Sequence, residues 1–305
     1  MKKLLAFVLV VLMVFSVSAC SSNKQPPKDE PANNPANSQT NDTDKTEAHT
    51  HEFSTATCTD AAKCSCGEKA GTNLGHNLSN GICTVCGVKP EYNVGNVLIL
   101  GDSISTFDGY IPEKTATYYS ATNTKNDVND VNKTWWSIFS KNTKANIVRN
   151  DSYSGSAVCY SSYNGQVHPL TSFVGRFDKL VKDGFFENNK IDTVIIFGGT
   201  NDSWAGVPVG TAKYSDWTNS DKLSFMPAFC YLIDTVKKTL PNARVVCIIN
   251  EGLSSGITQG MSTVCEKYKV DSVTLSGINT ADGHPSVAGM IEVEKQLRRV
   301  FEEKK

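Results

Sequence analysis

The chain has 305 residues, with 30 Lys and Arg against 31 Asp and Glu, for a formal net charge of -1. That length is ample for a real hydrophobic core in one large domain or two modest ones. Balanced charge without any basic stripe speaks against a nucleic-acid or strongly acidic partner.

At the N-terminus Lys2 and Lys3 precede an unbroken apolar run from Leu4 to Val17. The run is short for a membrane span and is bounded like a secretory signal. It closes as Val17-Ser18-Ala19-Cys20, small residues followed by a cysteine. This resembles a bacterial lipoprotein lipobox. The resemblance implies that residues 1–20 are a leader and that Cys20 carries the lipid, anchoring the mature chain to the outer face of a membrane by acyl chains. A plain secretory signal with an incidental cysteine is the alternative. Residues 21–50 are rich in Asn, Pro, Ser, Thr, Asp and Lys and nearly devoid of apolar side chains. Such a stretch buries too little surface to offset its ordering entropy, so a disordered linker is expected.

Residues 51–90 form a different, Cys/His-rich module. Cys58, Cys64, Cys66, Cys83 and Cys86 sit among glycines and threonines, and the spacing of His51 and Cys58 returns in His76 and Cys83. "CGEK" at Cys66 is echoed by "CGVK" at Cys86, so two degenerate copies of one unit are expected. So short a segment needs a staple. Cys64-x-Cys66 and Cys83-x-x-Cys86 approach zinc-ribbon spacing, with Cys58, His51 or His76 as substitutes. A structural zinc on Cys64, Cys66, Cys83 and Cys86 is the expectation; disulfides compete, although an odd number of thiols counts against them. The module looks like small Cys/His repeats on surface proteins of anaerobic Gram-positive bacteria.

From residue 95 to 305 the composition is that of an ordinary globular domain. "NVLILGDS", "ANIVRNDS", "IDTVIIFGGTND", "ARVVCIIN" and "KVDSVTL" read as buried strands. "TWWSIFSKN", "SFVGRFDKLVKDG", "FMPAFCYLIDTVKKTLP", "ITQGMSTVCEKY" and "SVAGMIEVEKQLRRVFEEK" read as the helices between and after them. Strands alternating with helices predict an α/β fold with a parallel sheet covered on both faces. Cys159, Cys230, Cys247 and Cys265 fall in or beside these runs and are expected as small core residues.

Four short blocks lie where such a sheet binds ligands, beyond the C-terminal ends of its strands. Ser103 follows Gly101 and Asp102; a serine there is a nucleophile once a base takes its proton, or simply a helix cap. Gly155, in "YSGSA", lets a backbone N–H approach a ligand, or merely makes a turn. Asn201 ends the third strand in "GGTND", where its amide can donate to developing negative charge. His284, in "DGHPS", is the candidate base, with His168 its one rival in the domain.

Together, Gly-Asp-Ser, a later Gly, Gly-x-Asn-Asp and a C-terminal His-Pro resemble the four blocks of the SGNH (GDSL-type) hydrolase family over residues 95–305. The resemblance implies a flavodoxin-like three-layer α/β/α sandwich and a serine esterase without a catalytic cofactor. It assigns the oxyanion hole to Ser103, Gly155 and Asn201, and the base to His284. Family members place the catalytic acid three residues before the histidine, where this chain has Ala281; Asp282 stands two before. Either the Asp282 carboxylate orients the imidazole, or a backbone carbonyl does so and the site works as a dyad. A tethered, outward-facing esterase suggests acetyl esters on extracellular carbohydrate, with Trp135, Trp136, Trp204, Trp217, Tyr118 and Tyr119 as candidates for stacking surface; several of them are expected in the core, since "TWWSIF" has helical spacing with one Trp inward. A lipid-directed esterase and a non-catalytic glycan- or cell-wall-binding protein are the alternatives.

Overall fold

The apolar runs become five parallel strands, β1 (Asn96–Gly101), β2 (Asn146–Ser152), β3 (Thr193–Gly198), β4 (Arg244–Ile249) and β5 (Asp271–Thr274). They are hydrogen-bonded in the order β2-β1-β3-β4-β5, the flavodoxin-like winding. The structure is a computed structural model describing residues 50–79 and 81–302. The expected leader, Cys20 and the linker up to residue 49 lie outside the described residues.

Among the described residues, seven α-helices accompany the sheet: α1 (Trp135–Thr143), α2 (Phe173–Lys182), α3 (Phe185–Asn188), α4 (Thr200–Trp204), α5 (Phe225–Thr239), α6 (Ser255–Tyr268) and α7 (Val287–Arg299). Alternation along the strands divides the core into two layers. Val97, Ile99, Ile195, Phe197, Val246 and Ile248 pack with Trp135 and Phe139 of α1 and with Met290 and Leu297 of α7. Leu98, Leu100, Val194, Ile196, Cys247 and Ile249 pack with side chains of α2, α5 and α6. The result is a three-layer α/β/α sandwich. Cys159, Cys230, Cys247 and Cys265 are all buried in the second layer.

Several of the aromatic candidates are core residues, as expected, but both tryptophans of the pair face inward where the spacing predicts one. Trp135, Trp136 and Tyr119 are buried and offer no stacking surface. The two indoles instead donate to Ser105, to its Oγ at 3.2 Å and its carbonyl at 3.0 Å, bracing the turn that follows Ser103. Burying an indole is favourable only when its N–H finds such a partner.

From His51 onward the chain forms one compact unit, so the Cys-rich segment is packed onto the sandwich. It holds two small hairpins, Ala62–Lys63 with Lys69–Ala70 and Leu78–Ser79 with Ile82–Cys83. The expected grouping of Cys64, Cys66, Cys83 and Cys86 does not form. Each hairpin keeps its own cysteine pair beside its own histidine, giving one cluster of His51, Cys64 and Cys66 and another of Cys58, His76, Cys83 and Cys86. The echo in the sequence marks two turns of the same kind, in which Gly67 N–H donates to the Cys64 carbonyl and Gly87 N–H to that of Cys83, both at 2.9 Å, while Cys58 of the first copy crosses to the second cluster.

Candidate active site

Strand register explains how three distant loops meet. Gly101, the last residue of β1, lies opposite Ser152 of β2 on one side and Phe197 of β3 on the other. The residues just past each strand end, Ser103, Gly155 and Asn201, therefore emerge at one rim. Ser103 opens a single turn of 3-10 helix capped by Asp102, whose Oδ1 accepts from Ile104 N–H at 3.0 Å. Among the described residues, the N–H groups of Ser103 and Gly155 have no protein acceptor. Gly155 has φ +80° and open space where a Cβ would stand. A side chain there would be strained and would cover the N–H.

Asn201 does not end the third strand as expected. β3 stops at Gly198 and Asn201 lies in the first turn of α4, turned inward after Gly199 at φ +88°. It is buried, donates from Nδ2 to the Ser156 carbonyl at 3.0 Å, and accepts at Oδ1 from the Tyr163 hydroxyl at 2.8 Å. With Oδ1 accepting, one hydrogen on Nδ2 is left over for a ligand.

His284 arrives on a hairpin pairing Thr280–Ala281 with His284–Pro285. Its two-residue tip, Asp282 and Gly283, has φ of 52° and 71°, as a type I′ turn requires. Asn126 Nδ2 clamps the hairpin through the carbonyls of Ala281, His284 and Pro285, at 3.0–3.3 Å, and the Tyr119 hydroxyl adds a bond of 2.8 Å to Pro285. His284 Nε2 lies 2.9 Å from Ser103 Oγ, and Nδ1 lies 3.0 Å from the backbone carbonyl of Asp282. A carbonyl only accepts, so Nδ1 carries the proton and Nε2 presents its lone pair to the serine. The rival, His168, is exposed and bonded to Gln166 at 3.0 Å.

The Asp282 carboxylate does not face the imidazole. The turn carries it outward, where Oδ2 accepts from the Tyr118 hydroxyl at 3.0 Å. Tyr118 in turn stacks on the His284 ring, 3.5 Å between centroids at 11°. Removing a true triad carboxylate costs about 10⁴-fold in kcat. Asp282→Asn, which tolerates positive φ and keeps the carbonyl, is therefore expected to stay within about 10-fold of wild type. A 10⁴-fold loss in steady-state ester hydrolysis would return the carboxylate to the imidazole.

Burial of His284 lowers its pKa from the ordinary 6.5, and the Asp282 carbonyl only partly offsets this. A base must be neutral to act, so activity is lost as pH falls through that lowered value. The acid limb of kcat/KM is accordingly expected to have its midpoint below pH 6.5; a midpoint above 7 would contradict this electrostatic account. Burial also pushes Asp102 up to about 7 and Asp202 up to about 6. Asp202 holds the Gly155 loop in place, accepting from the N–H groups of Val158 at 2.8 Å and Cys159 at 3.2 Å.

Sequence reasoning missed three supporting residues, and the role of Tyr118. Buried Arg176 bonds the carbonyls of Gly101 and Asp151 and, at 3.2 Å, Ser156 Oγ, tying two strand ends to the Gly155 loop. Asn126, Tyr163 and the stacking of Tyr118 on His284 were equally hidden, because each acts across a long sequence separation. The Asp-Gly pair at the hairpin tip was a readable signal.

Comparison with known proteins bears on the same stretch. The family described as GDSL-like Lipase/Acylhydrolase matches residues 95–301. A solved structure named as a candidate GDSL-like lipase from Bacteroides ovatus ATCC 8483 is 35% identical, with a TM-score of 0.64 over 68% of this chain and 98% of its own. One so named from Bacteroides uniformis ATCC 8492 is 38% identical, with a TM-score of 0.63 over 69% and 95%. No curated protein matches the chain. The matched residues include all four blocks that converge on the rim, and the chain belongs to the GDSL-like lipase/acylhydrolase family, as a hydrolase of ester bonds.

Proposed function

We propose that Ser103 is the nucleophile and His284 the base of a dyad that removes small acyl groups, acetyl foremost, from extracellular carbohydrate. The observation that carries the chemistry is the 2.9 Å contact between Ser103 Oγ and a His284 Nε2 left unprotonated by its tautomer. Nε2 takes the hydroxyl proton as Oγ bonds to the acyl carbon. The N–H groups of Ser103 and Gly155 and the spare Asn201 Nδ2 hydrogen meet the oxyanion. The imidazolium then protonates the leaving alcohol, and water, activated by the same nitrogen, releases the acid.

For the substrate class, the support is Trp204, half exposed, with its ring 5.9 Å from that of His284 and edge-on at 79°. An accessible indole beside the reacting bond offers a sugar a stacking face. In this reading the chain works outside the cell, tethered through Cys20, and the support for that is the leader sequence alone. A lipid-directed reading draws on Val167 and Leu170, 49% and 83% exposed in the segment that also carries Tyr163. A chain-length series of p-nitrophenyl esters, run beside acetylated oligosaccharides and a lysophospholipid with the full-length protein, separates them. Acetyl preference with deacetylation of the oligosaccharide is expected; rates that climb with acyl length would overturn the carbohydrate reading.

A further inference from the structure

The Cys-rich segment takes no part in the chemistry above, yet it brings four donor atoms together. Cys58, His76, Cys83 and Cys86 each offer one such atom, all within 4.8 Å of one another. A tetrahedral zinc with bonds of about 2.3 Å to sulfur and about 2.0 Å to nitrogen has edges of about 3.8 Å between sulfurs and about 3.5 Å between sulfur and nitrogen. Cys58 Sγ and Cys83 Sγ are 3.7 Å apart, and Cys86 Sγ lies 3.3 Å from His76 Nδ1. The sulfurs are thus too far apart for a disulfide and spaced as metal ligands are. The backbone adds a second observation: Val85 N–H points at Cys83 Sγ, at 3.4 Å, an arrangement that favours a thiolate acceptor.

The same residues touch the sandwich. Arg298, buried near the end of α7, donates to the His76 carbonyl at 2.8 Å while paired with Glu294 at 2.6 Å and with the Tyr92 hydroxyl at 2.9 Å. Arg299 donates to the Leu74 carbonyl at 2.6 Å, and His76 N–H to Glu302 at 3.3 Å. His284 lies at the opposite end of α7, about 20 Å away along the helix.

We propose that Cys58, His76, Cys83 and Cys86 bind one zinc ion, as three thiolates and a neutral imidazole, and that this ion fastens the Cys-rich segment to the C-terminal end of α7 without serving ester hydrolysis. A closed set of four protein ligands leaves no position for water or substrate, which marks a structural site. The ion replaces the core that so small a segment lacks. The other cluster, His51, Cys64 and Cys66, has three described donors and serves as the comparison.

The test is zinc content per chain, measured on full-length protein loaded under reducing conditions and washed with a weak chelator. His76→Ala and Cys86→Ser are each expected to hold one equivalent less than wild type, and a protein carrying both changes no less than either. Cys66→Ser should keep that equivalent. Because a variant can fail to fold, wild-type protein is also titrated with cobalt, which should give intense tetrahedral bands with thiolate charge transfer. Stripping the zinc from wild type should lower Tm by several degrees and leave kcat unchanged below the melt. Unaltered zinc content in both variants, a weak octahedral cobalt spectrum, or a Cys58–Cys83 disulfide in the zinc-loaded chain would each overturn the site. Loss of kcat on stripping, with the fold intact, would overturn its structural role while leaving the dyad standing.

Discussion

Ser103→Ala is expected to lower kcat toward p-nitrophenyl acetate by about 10⁶-fold, the loss typical when a nucleophile that works as a unit with its base is removed. His284→Ala should cost nearly as much, and the double variant little more, because either loss alone stops proton transfer from Oγ to Nε2. That non-additivity distinguishes a dyad from two independently useful side chains. Both residues are buried within a preformed rim, so circular dichroism should report unchanged folding. A fluorophosphonate probe should label wild type and spare Ser103→Ala. Near-normal turnover by a folded Ser103→Ala protein would remove the nucleophile from the proposal.

Asn201→Ala should lower kcat by about 10²–10³-fold with little change in KM, as expected of a donor engaged mainly in the transition state. The geometry is restrictive. Tyr163 holds Oδ1 at 2.8 Å and the Ser156 carbonyl holds one Nδ2 hydrogen at 3.0 Å, so the amide cannot flip without losing both. Tyr163→Phe should therefore give a smaller loss in kcat, since the amide stays in place but is less firmly oriented. Equal kcat in wild type and Asn201→Ala would place the oxyanion elsewhere.

Much of the fold was legible because the three central strands, buried on both faces, are continuous apolar runs, and helices that cover them are amphipathic; the edge strand β5, expected as buried, is largely exposed. All five runs became strands of one sheet, and Ser286 caps α7 beside the expected start. Asn201 was misplaced because nothing in "VIIFGGTND" marks where the strand stops after its apolar run, whereas positive φ at Gly199 ends it there and turns the polar residues that follow into a helix. The cysteines were paired wrongly by spacing alone. Spacing is blind to the two hairpins that close each pair on its own histidine.

What the amino-acid order determined by itself was the sheet with its covering helices, and the chemical kinds of group that the four blocks supply. Both follow from local pattern: side-chain periodicity sets which faces are buried, and glycine and proline set where elements stop. Only the tertiary structure decided that the Asp282 carbonyl, not its carboxylate, meets His284. The sign of two backbone angles in a hairpin, held from outside by Asn126 and Tyr119, governs that choice. It likewise decided that Cys58 joins His76, Cys83 and Cys86, because the packing of small hairpins against α7 brings together donors that no sequence interval relates.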